Sequence, residues 1–370
     1  MPKVSSIEKK LWEKANQAIK EQEKIRKPKL EDIFTRRYYI SPESLLVDNY
    51  LRTKPLAAFN PGAFVKDGRL FIFPRLIFDY YSYVSSIGVA VMDIEKVIDG
   101  KLKNPLKVKI ILWPEKLWEF GHGCEDPRVS SLNGSIYILY TGAKHYYVNQ
   151  GITKKSVLGF AELNSFFEIK RRGYFSIASE ANKFTPSCKD SALIKIKDNK
   201  ATMLTRPIFQ NIALCWRAEA NLKTLTIPED TLKPVLLQEE WEYRVGWSTN
   251  VVKLSPDEYL VGWHGVLKED LSYRNGIAVV DGKGELLAIS NYLLAPRGLK
   301  ESYGDRPLAI FGNGLVRYKE YLVWIGGIGD YSIGIFITEL SKVLENLKWI
   351  KKSKQWRQAC SESRLGENLL

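Results

Sequence analysis

The sequence predicts an all-β fold: a five-bladed β-propeller with an N-terminal helical extension and a C-terminal helix. Three observations carry this. Short runs rich in Val, Ile, Tyr and Trp alternate with turns of Gly, Asn, Asp and Pro over most of the chain. One local pattern then recurs five times: a small or polar entry, an apolar strand, a polar turn, and a second strand ending in aromatic, Arg or Gly residues. Its starts, at Asn60, Asp126, Asp190, Asn250 and Leu308, are offset by 66, 64, 60 and 58 residues. Each period has room for about four short strands, the content of one propeller blade. A sandwich with Greek-key links is also all-β but would not explain regular offsets.

The elements follow in order. Residues 5–27 are predicted helical: Ser5 and Glu8 have capping-box spacing, and Ile7, Leu11, Ala15, Ala18, Ile19 and Ile25 keep a helical period up to Pro28. The apolar stripe of such a helix must be buried, on its own domain or on another subunit, which makes a homo-oligomer through this helix an expectation. The repeats follow, each opening on its entry residue. Leu340, Val343, Leu344, Leu347 and Ile350 then give a weaker helical pattern over residues 340–357. The expected organisation is an extension over 1–45, a catalytic propeller over 46–340, and a helix and tail over 341–370. In a propeller, the entries of the innermost strands lie near the axis, so the polar entry residues are expected to face one funnel.

Composition excludes several classes. No run of about 18 apolar residues exists, so no membrane-spanning helix is expected, and Met1–Ser6 leads into a charged segment without an apolar signal-peptide core. Cys124, Cys188, Cys215 and Cys360 are scattered without CxxC spacing, which predicts reduced thiols in a cytoplasmic protein. The net charge of +13 invites a nucleic-acid reading. However, residues 1–30 and 341–357 each hold +5 and residues 358–370 hold −1, leaving +4 for residues 31–340. The excess sits in the tails and predicts solvated helices, with no nucleic acid or membrane as partner.

The chemistry-bearing residues fall into three groups. The first is Gly123-Cys124-Glu125-Asp126-Pro127-Arg128, which places two carboxylates and an Arg in a turn before a strand. In isolation Asp-Pro with a nearby Arg is as readily a structural turn. At the entry of a repeat, Asp126 becomes the candidate proton donor for glycosidic cleavage, which needs an acid at the leaving oxygen and a nucleophile on the opposite face. The second group is basic: Arg75, Lys189, Arg206 and His264 open or close repeats, and Tyr273 with Arg274 follows. Converging, they would suit an oxyanion such as phosphate, whose desolvation requires several donors. The third group is Asn60, Asp190, Glu301, Asp305 and Asp330, with Trp247, Trp263 and Trp324 nearby; it offers carboxylates for sugar hydroxyls and rings for C–H faces. His122 and His145 are too isolated to hold a metal. There is no P-loop, dinucleotide fingerprint or GxSxG elbow.

These segments, in order from Asn60-Pro61-Gly62-Ala63 through Arg75, Gly123–Arg128, Lys189-Asp190-Ser191-Ala192-Leu193, Arg206-Pro207, Val245-Gly246-Trp247, Trp263-His264-Gly265-Val266, Tyr273-Arg274-Asn275-Gly276 and Glu301 with Gly304-Asp305 to Gly326 with Asp330, resemble glycoside hydrolase family 130, the β-mannoside phosphorylases and related inverting β-mannosidases. The resemblance covers residues 60–330. It implies a five-bladed propeller and Asp126 as general acid, acting through a hydroxyl of the bound mannosyl unit. It implies inverting attack by inorganic phosphate to give α-mannose 1-phosphate. Arg75, Lys189, Arg206, His264 and Tyr273 would then bind or border phosphate, and Asn60, Arg128, Asp190, Glu301, Asp305 and Asp330 would bind the mannoside or hold the site together. No metal or organic cofactor is implied. Departures from the family pattern are Trp263 and Ile325, each where Tyr is usual, and Pro74 before Arg75. Two other readings stand beside phosphorolysis: an inverting β-mannosidase using water and a carboxylate base, and a non-catalytic sugar-binding propeller.

Overall fold

Five inner strands form a ring: Ala57–Lys66, Cys124–Leu132, Ser187–Lys197, Glu242–Lys253 and Ile310–Tyr318 each contact the next, and the fifth contacts the first. This arrangement comes from a computed structural model, which describes residues 5–350 apart from 81–82, 103, 133 and 149–150. The fold is all-β and propeller-like. Each inner strand begins a sheet; in chain order the five sheets have five, four, eight, five and four strands. Four of them are regular blades of four or five strands. The third departs from the expected repeat: Ser176–Ala178 pairs in parallel with Thr226–Pro228, and further short strands join that edge. Five equal blades are therefore not what the chain builds.

Both chain ends are used to complete sheets. Arg36–Ile40 pairs with Ser332–Glu339 as the outer strand of the last sheet. Leu347–Trp349 pairs with Leu286–Ser290 of the fourth. The predicted C-terminal helix is accordingly only Leu340–Glu345; edge pairing takes over where Leu347 is buried, and residues 351–357 lie outside the described residues.

The N-terminal helix runs from Ser6 to Lys20, with the Ser5 hydroxyl accepting from Glu8 N at 3.0 Å. It is shorter than predicted because the following segment binds the fourth sheet instead: Glu31 N donates to Tyr292 O and Ile33 N to Leu293 O. Ile7, Leu11 and Ala15 are buried against Phe209 and Trp216 of the same chain. Three residues of the stripe that pointed to self-association are thus covered internally, while Ile19 is 40% exposed. Among the described residues no helix is long and apolar enough to cross a membrane, and Cys124, Cys188 and Cys215 are buried free thiols.

Candidate active site

The ring places one device at the same point of every inner strand. Pairing with the second strand shifts register after Phe59, Glu125, Lys189, Trp247 and Gly312. These β-bulges re-aim side chains, as bulges near active sites commonly do. In the first three sheets the bulge residue is Asn60, Asp126 or Asp190, with φ of 46°, 52° and 49°. Asn and Asp tolerate this left-handed backbone better than other L-residues, so their recurrence in the sequence marks both a turn geometry and a site. The fifth entry lies at Asn313, not at Leu308.

Above the bulges is a cavity of about 140 Å³ lined by Asn60, Arg75, Asp126, Lys189, Asp190, Arg206, His264, Tyr273 and Asp330. Nine of the twelve predicted site residues are therefore brought together. Arg128 lies directly behind them, donating to Asp190 Oδ1 at 2.9 Å, Ser248 O at 2.6 Å and Asp126 O at 3.0 Å. Asp126 Oδ1 accepts from Asn60 Nδ2 at 2.9 Å and from Arg75 Nη1 at 3.2 Å. Among the described residues Oδ2 has no hydrogen-bond partner. Arg75 also donates to Glu125 Oε1 at 2.8 Å and to Ser85 Oγ at 2.8 Å. Arg206 Nε donates to Asp190 Oδ2 at 2.6 Å. Close approach is built in where glycine sits: a Cβ on Gly246 would come within 2.9 Å of Asp190 Oδ2 and 2.7 Å of His264 Nε2.

Two predicted residues fall elsewhere. Glu301 is fully buried outside the cavity, where it accepts from Arg37, from Tyr39 Oη at 2.7 Å and from Arg297 N at 2.8 Å. It fastens the N-terminal strand Arg36–Ile40 to the short helix Gly298–Ser302. Glu301→Ala is expected to cost about 3 kcal/mol in urea unfolding, because it strips a buried guanidinium of a carboxylate. Asp305 sits on the rim and accepts from Tyr83 Oη. Trp247, Trp263 and Trp324 are core residues, at most 1% exposed, and offer no face to a sugar. Arg274 leaves the cavity and pairs with Asp270 at 3.7 Å.

Sequence reasoning missed Arg244, Arg306 and Phe311 in the lining and gave Glu125 no role. The ion pairs show why the two arginines matter. Arg75 is paired with Glu125 and Asp126, while Arg128 and Arg206 are paired with Asp190. Lys189 is 3.9 Å from Glu125. Among the described residues Arg244 and Arg306 have no carboxylate within ion-pair distance. Arg306 instead lies over the Tyr273 ring at 4.6 Å, and that ring stacks on His264 at 5.4 Å. The cavity thus has one wall of compensated charge around Asp126 and Asp190, and another with cations open to a ligand.

Protonation follows from these neighbours. Burial would raise the Asp126 carboxyl, but Arg75, Arg128, Lys189 and the Asn60 amide outweigh it and hold its pKa below the ordinary value. The Asp190 carboxyl is held well below its ordinary value too: burial is outweighed by Arg206 and Arg128. Asp330 goes up, through burial and the charges of Asp126 and Glu125, despite Arg75. His264 drops to about 3, through burial and the cations Arg206, Arg128 and Arg244, against Asp190; it is neutral at pH 7, with Ser248 Oγ 2.9 Å from Nδ1.

A pH effect on stability follows. A histidine whose folded pKa lies below its unfolded value of 6.5 stabilises the fold fully above that value, and loses this as pH falls toward 3. Between pH 6.5 and pH 5 the loss is roughly 2 kcal/mol. The difference in urea-unfolding free energy between pH 7 and pH 5 should shrink by about that amount in His264→Gln.

A family model described as beta-1,4-mannooligosaccharide phosphorylase matches residues 24–349. The chain belongs to glycoside hydrolase family 130. A curated relative, the beta-1,2-mannobiose phosphorylase of Thermoanaerobacter sp. (strain X514), is 25% identical over 268 residues, 71% of this chain and 80% of the relative. Two solved structures share the fold. One is the beta-1,2-mannobiose phosphorylase from Listeria innocua in complex with beta-1,2-mannobiose, with TM-score 0.61 and 17% identity, covering 84% of this chain and 99% of that one. The other is a mannose phosphorylase from Leishmania mexicana in complex with a phosphate ion, with TM-score 0.53 and 15% identity, covering 94% and 98%. Membership makes this family 130 protein an enzyme acting on mannosides, on a propeller-like scaffold.

Proposed function

We propose that this enzyme is an inverting β-mannoside phosphorylase whose third blade is enlarged to eight strands. Asp126 supplies the proton that leaves with the departing sugar oxygen, relayed through a hydroxyl of the mannosyl unit. Phosphate attacks the anomeric carbon from the opposite face, the glycosidic C–O bond breaks, and the products are α-mannose 1-phosphate and the shortened mannoside. Asn60, Arg128 and Asp190 hold the mannosyl unit or the acid. One observation carries the reading: Lys189, Arg244 and Arg306 line the same cavity as Asp126 with little or no carboxylate compensation. Arg75 and Arg206 also border this space, but their charge is already met by Glu125, Asp126 and Asp190, so they act chiefly as positioning groups. His264 and Tyr273, one neutral and one phenolic, complete the anion's surroundings as hydrogen-bond donors.

The hydrolytic alternative needs a carboxylate base to activate water. Glu125 is tied to Arg75, with Lys189 at 3.9 Å, so its carboxylate is already engaged by cations. Open cations serve an anionic nucleophile and do nothing for water.

The related proteins carry two different linkages in their descriptions, so the test uses β-1,2-, β-1,3- and β-1,4-mannobiose. Each is incubated with and without phosphate. Mannose 1-phosphate formed only with phosphate is the expected result. Free mannose released at the same rate without phosphate would replace phosphorolysis with hydrolysis, and absence of turnover across the panel would leave a sugar-binding role.

A further inference from the structure

Outside the catalytic cavity, the buried carboxylate of Glu119 gathers five donors. Its Oε2 accepts from Glu115 N and Lys116 N at 3.0 Å each and from Arg172 Nη2 at 2.7 Å. Its Oε1 accepts from Tyr140 Oη at 2.6 Å and from Arg172 Nε at 2.8 Å. Arg172 also donates to Glu115 Oε2 at 3.1 Å, to Trp113 O and to Cys124 Sγ at 3.4 Å. Arg172 stands on the outermost strand of the second sheet, Ile169–Tyr174, Tyr140 on its second strand, Ser135–Val148, and Cys124 at the start of its inner strand. The cluster therefore ties the incoming segment 113–123 to that sheet from edge to centre. Buried ion pairs add little net stability over apolar side chains; what they can fix is geometry.

The segment needs such an anchor. Trp113, Leu117 and Phe120 are 46%, 76% and 52% exposed, so apolar burial holds little of it beyond Trp118, which packs on Tyr140. Its far end reaches toward Asp126. Gly123 N donates to Glu119 O at 2.7 Å, and Ser85 N donates to His122 O at 2.8 Å. Gly123 has φ of 83°, and a Cβ there would stand 2.1 Å from Ser85 O, so this approach requires glycine. Ser85 is fully buried, and its Oγ accepts from Arg75 Nε. Arg75 in turn donates to Asp126 Oδ1 and Glu125 Oε1. One chain of contacts thus runs from Arg172 and Glu119 to Asp126 through Ser85 and Arg75.

We propose that Glu119 and Arg172 are positioning residues for Asp126: they fix the segment 113–123 against Ser85, and Ser85 sets where Arg75 holds the carboxylate. This rests on the place given to Asp126 in the reaction above. A misplacement of about 1 Å at a reacting group costs up to about a hundredfold in rate, which is the error this anchor prevents.

The test is a double-mutant cycle on kcat for whichever mannobiose is turned over. Glu119→Gln should lower kcat by about ten- to a hundredfold, while the KM for phosphate holds within about twofold. In the Asp126→Asn background the same change should lower kcat less than about twofold further, because no carboxylate is left to position. Losses that multiply in the double variant would make the cluster merely structural and overturn the proposal, as would a Glu119→Gln enzyme as fast as wild type. Ser85→Ala removes no buried charge and should reproduce the pattern; it carries the test if Glu119→Gln does not fold. The cycle reads coupling to Asp126 whether that residue donates a proton or holds the sugar, so it stands apart from the acid assignment. If no mannoside is turned over, amide hydrogen exchange read by mass spectrometry judges the positioning in the free enzyme. Faster exchange across Ser85 and Gly121–Gly123 in Glu119→Gln or Arg172→Lys, with the inner strand Glu242–Lys253 unchanged, supports it. Exchange as in wild type, or equally faster throughout the chain, overturns it.

Discussion

Asp126→Asn should lower kcat for phosphorolysis of a mannobiose by at least about a thousandfold, the upper range for losing a positioned general acid. The fold should survive, because Glu125 and Ser85 still hold Arg75 and the asparagine carbonyl can still accept from Asn60. The leaving group provides the decisive control. A dinitrophenyl mannoside departs without a proton, so Asp126→Asn should retain its turnover to within about tenfold if the residue acts as an acid. An equal collapse on both substrates would mean that Asp126 holds the mannosyl unit instead.

The depressed pKa of Asp126 has to be reconciled with proton donation. In the free enzyme Arg75, Arg128 and Lys189 keep it ionised. An oxyanion bound beside Lys189 cancels part of that field and raises the Asp126 pKa. On the proposed phosphorolytic reading, the acid would therefore be armed by the nucleophile's arrival. Phosphate binding should accordingly take up protons, measurable as a buffer-dependent heat in titration calorimetry, and Asp126→Asn should remove that uptake.

How far the sequence disclosed this site depends on how local each cause is. Asn60, Asp126 and Asp190 were legible because one bulge recurs, and its left-handed residue favours Asn, Asp or Gly. Arg75, Lys189 and Arg206 were legible because they flank those bulges in register, Arg206 lying opposite Lys189 and Arg75 opposite Phe59. Glu301 was misplaced because its partner, Arg37, is 264 residues away, and nothing near Glu301 in the chain shows that the N-terminal strand reaches it. Trp247, Trp263 and Trp324 failed as sugar platforms for a related reason. Strand alternation fixes that successive residues face opposite sides, but not which side is the core. The short C-terminal helix and the eight-stranded sheet share one cause: edge pairing depends on where another segment arrives, and residues 347–349 and 226–228 meet strands far from them in sequence. Arg244 and Arg306 escaped because an arginine at a sheet mouth is ordinarily solvated, and only the inventory of ion pairs separates these two from the rest.

Neutralising those two arginines should be the second large effect, and it should fall on phosphate. A hydrogen bond to a charged group contributes about 1.5–3 kcal/mol, or roughly ten- to a hundredfold in affinity. Arg244→Gln and Arg306→Gln are each expected to raise the KM for phosphate by that factor, and the KM for mannose 1-phosphate in the reverse direction alike, while the KM for the mannoside stays within about twofold. The double variant should lose phosphorolysis at ordinary phosphate concentrations. Arg274→Gln is the control, since Arg274 pairs with Asp270 outside the cavity and should leave the phosphate KM alone. Sulfate, a tetrahedral dianion that cannot complete the reaction usefully, should compete with phosphate in wild type and lose potency in both variants. The opposite pattern, with phosphate KM unchanged and mannoside KM raised, would assign the arginines to the sugar. It would also return the anion to Arg75 and Arg206, which would then have to release Glu125 and Asp190 to bind it. That release would free Asp126 from Arg75 in the same step, so the pH profile of kcat would shift with phosphate concentration in the Arg244→Gln and Arg306→Gln variants as strongly as in wild type.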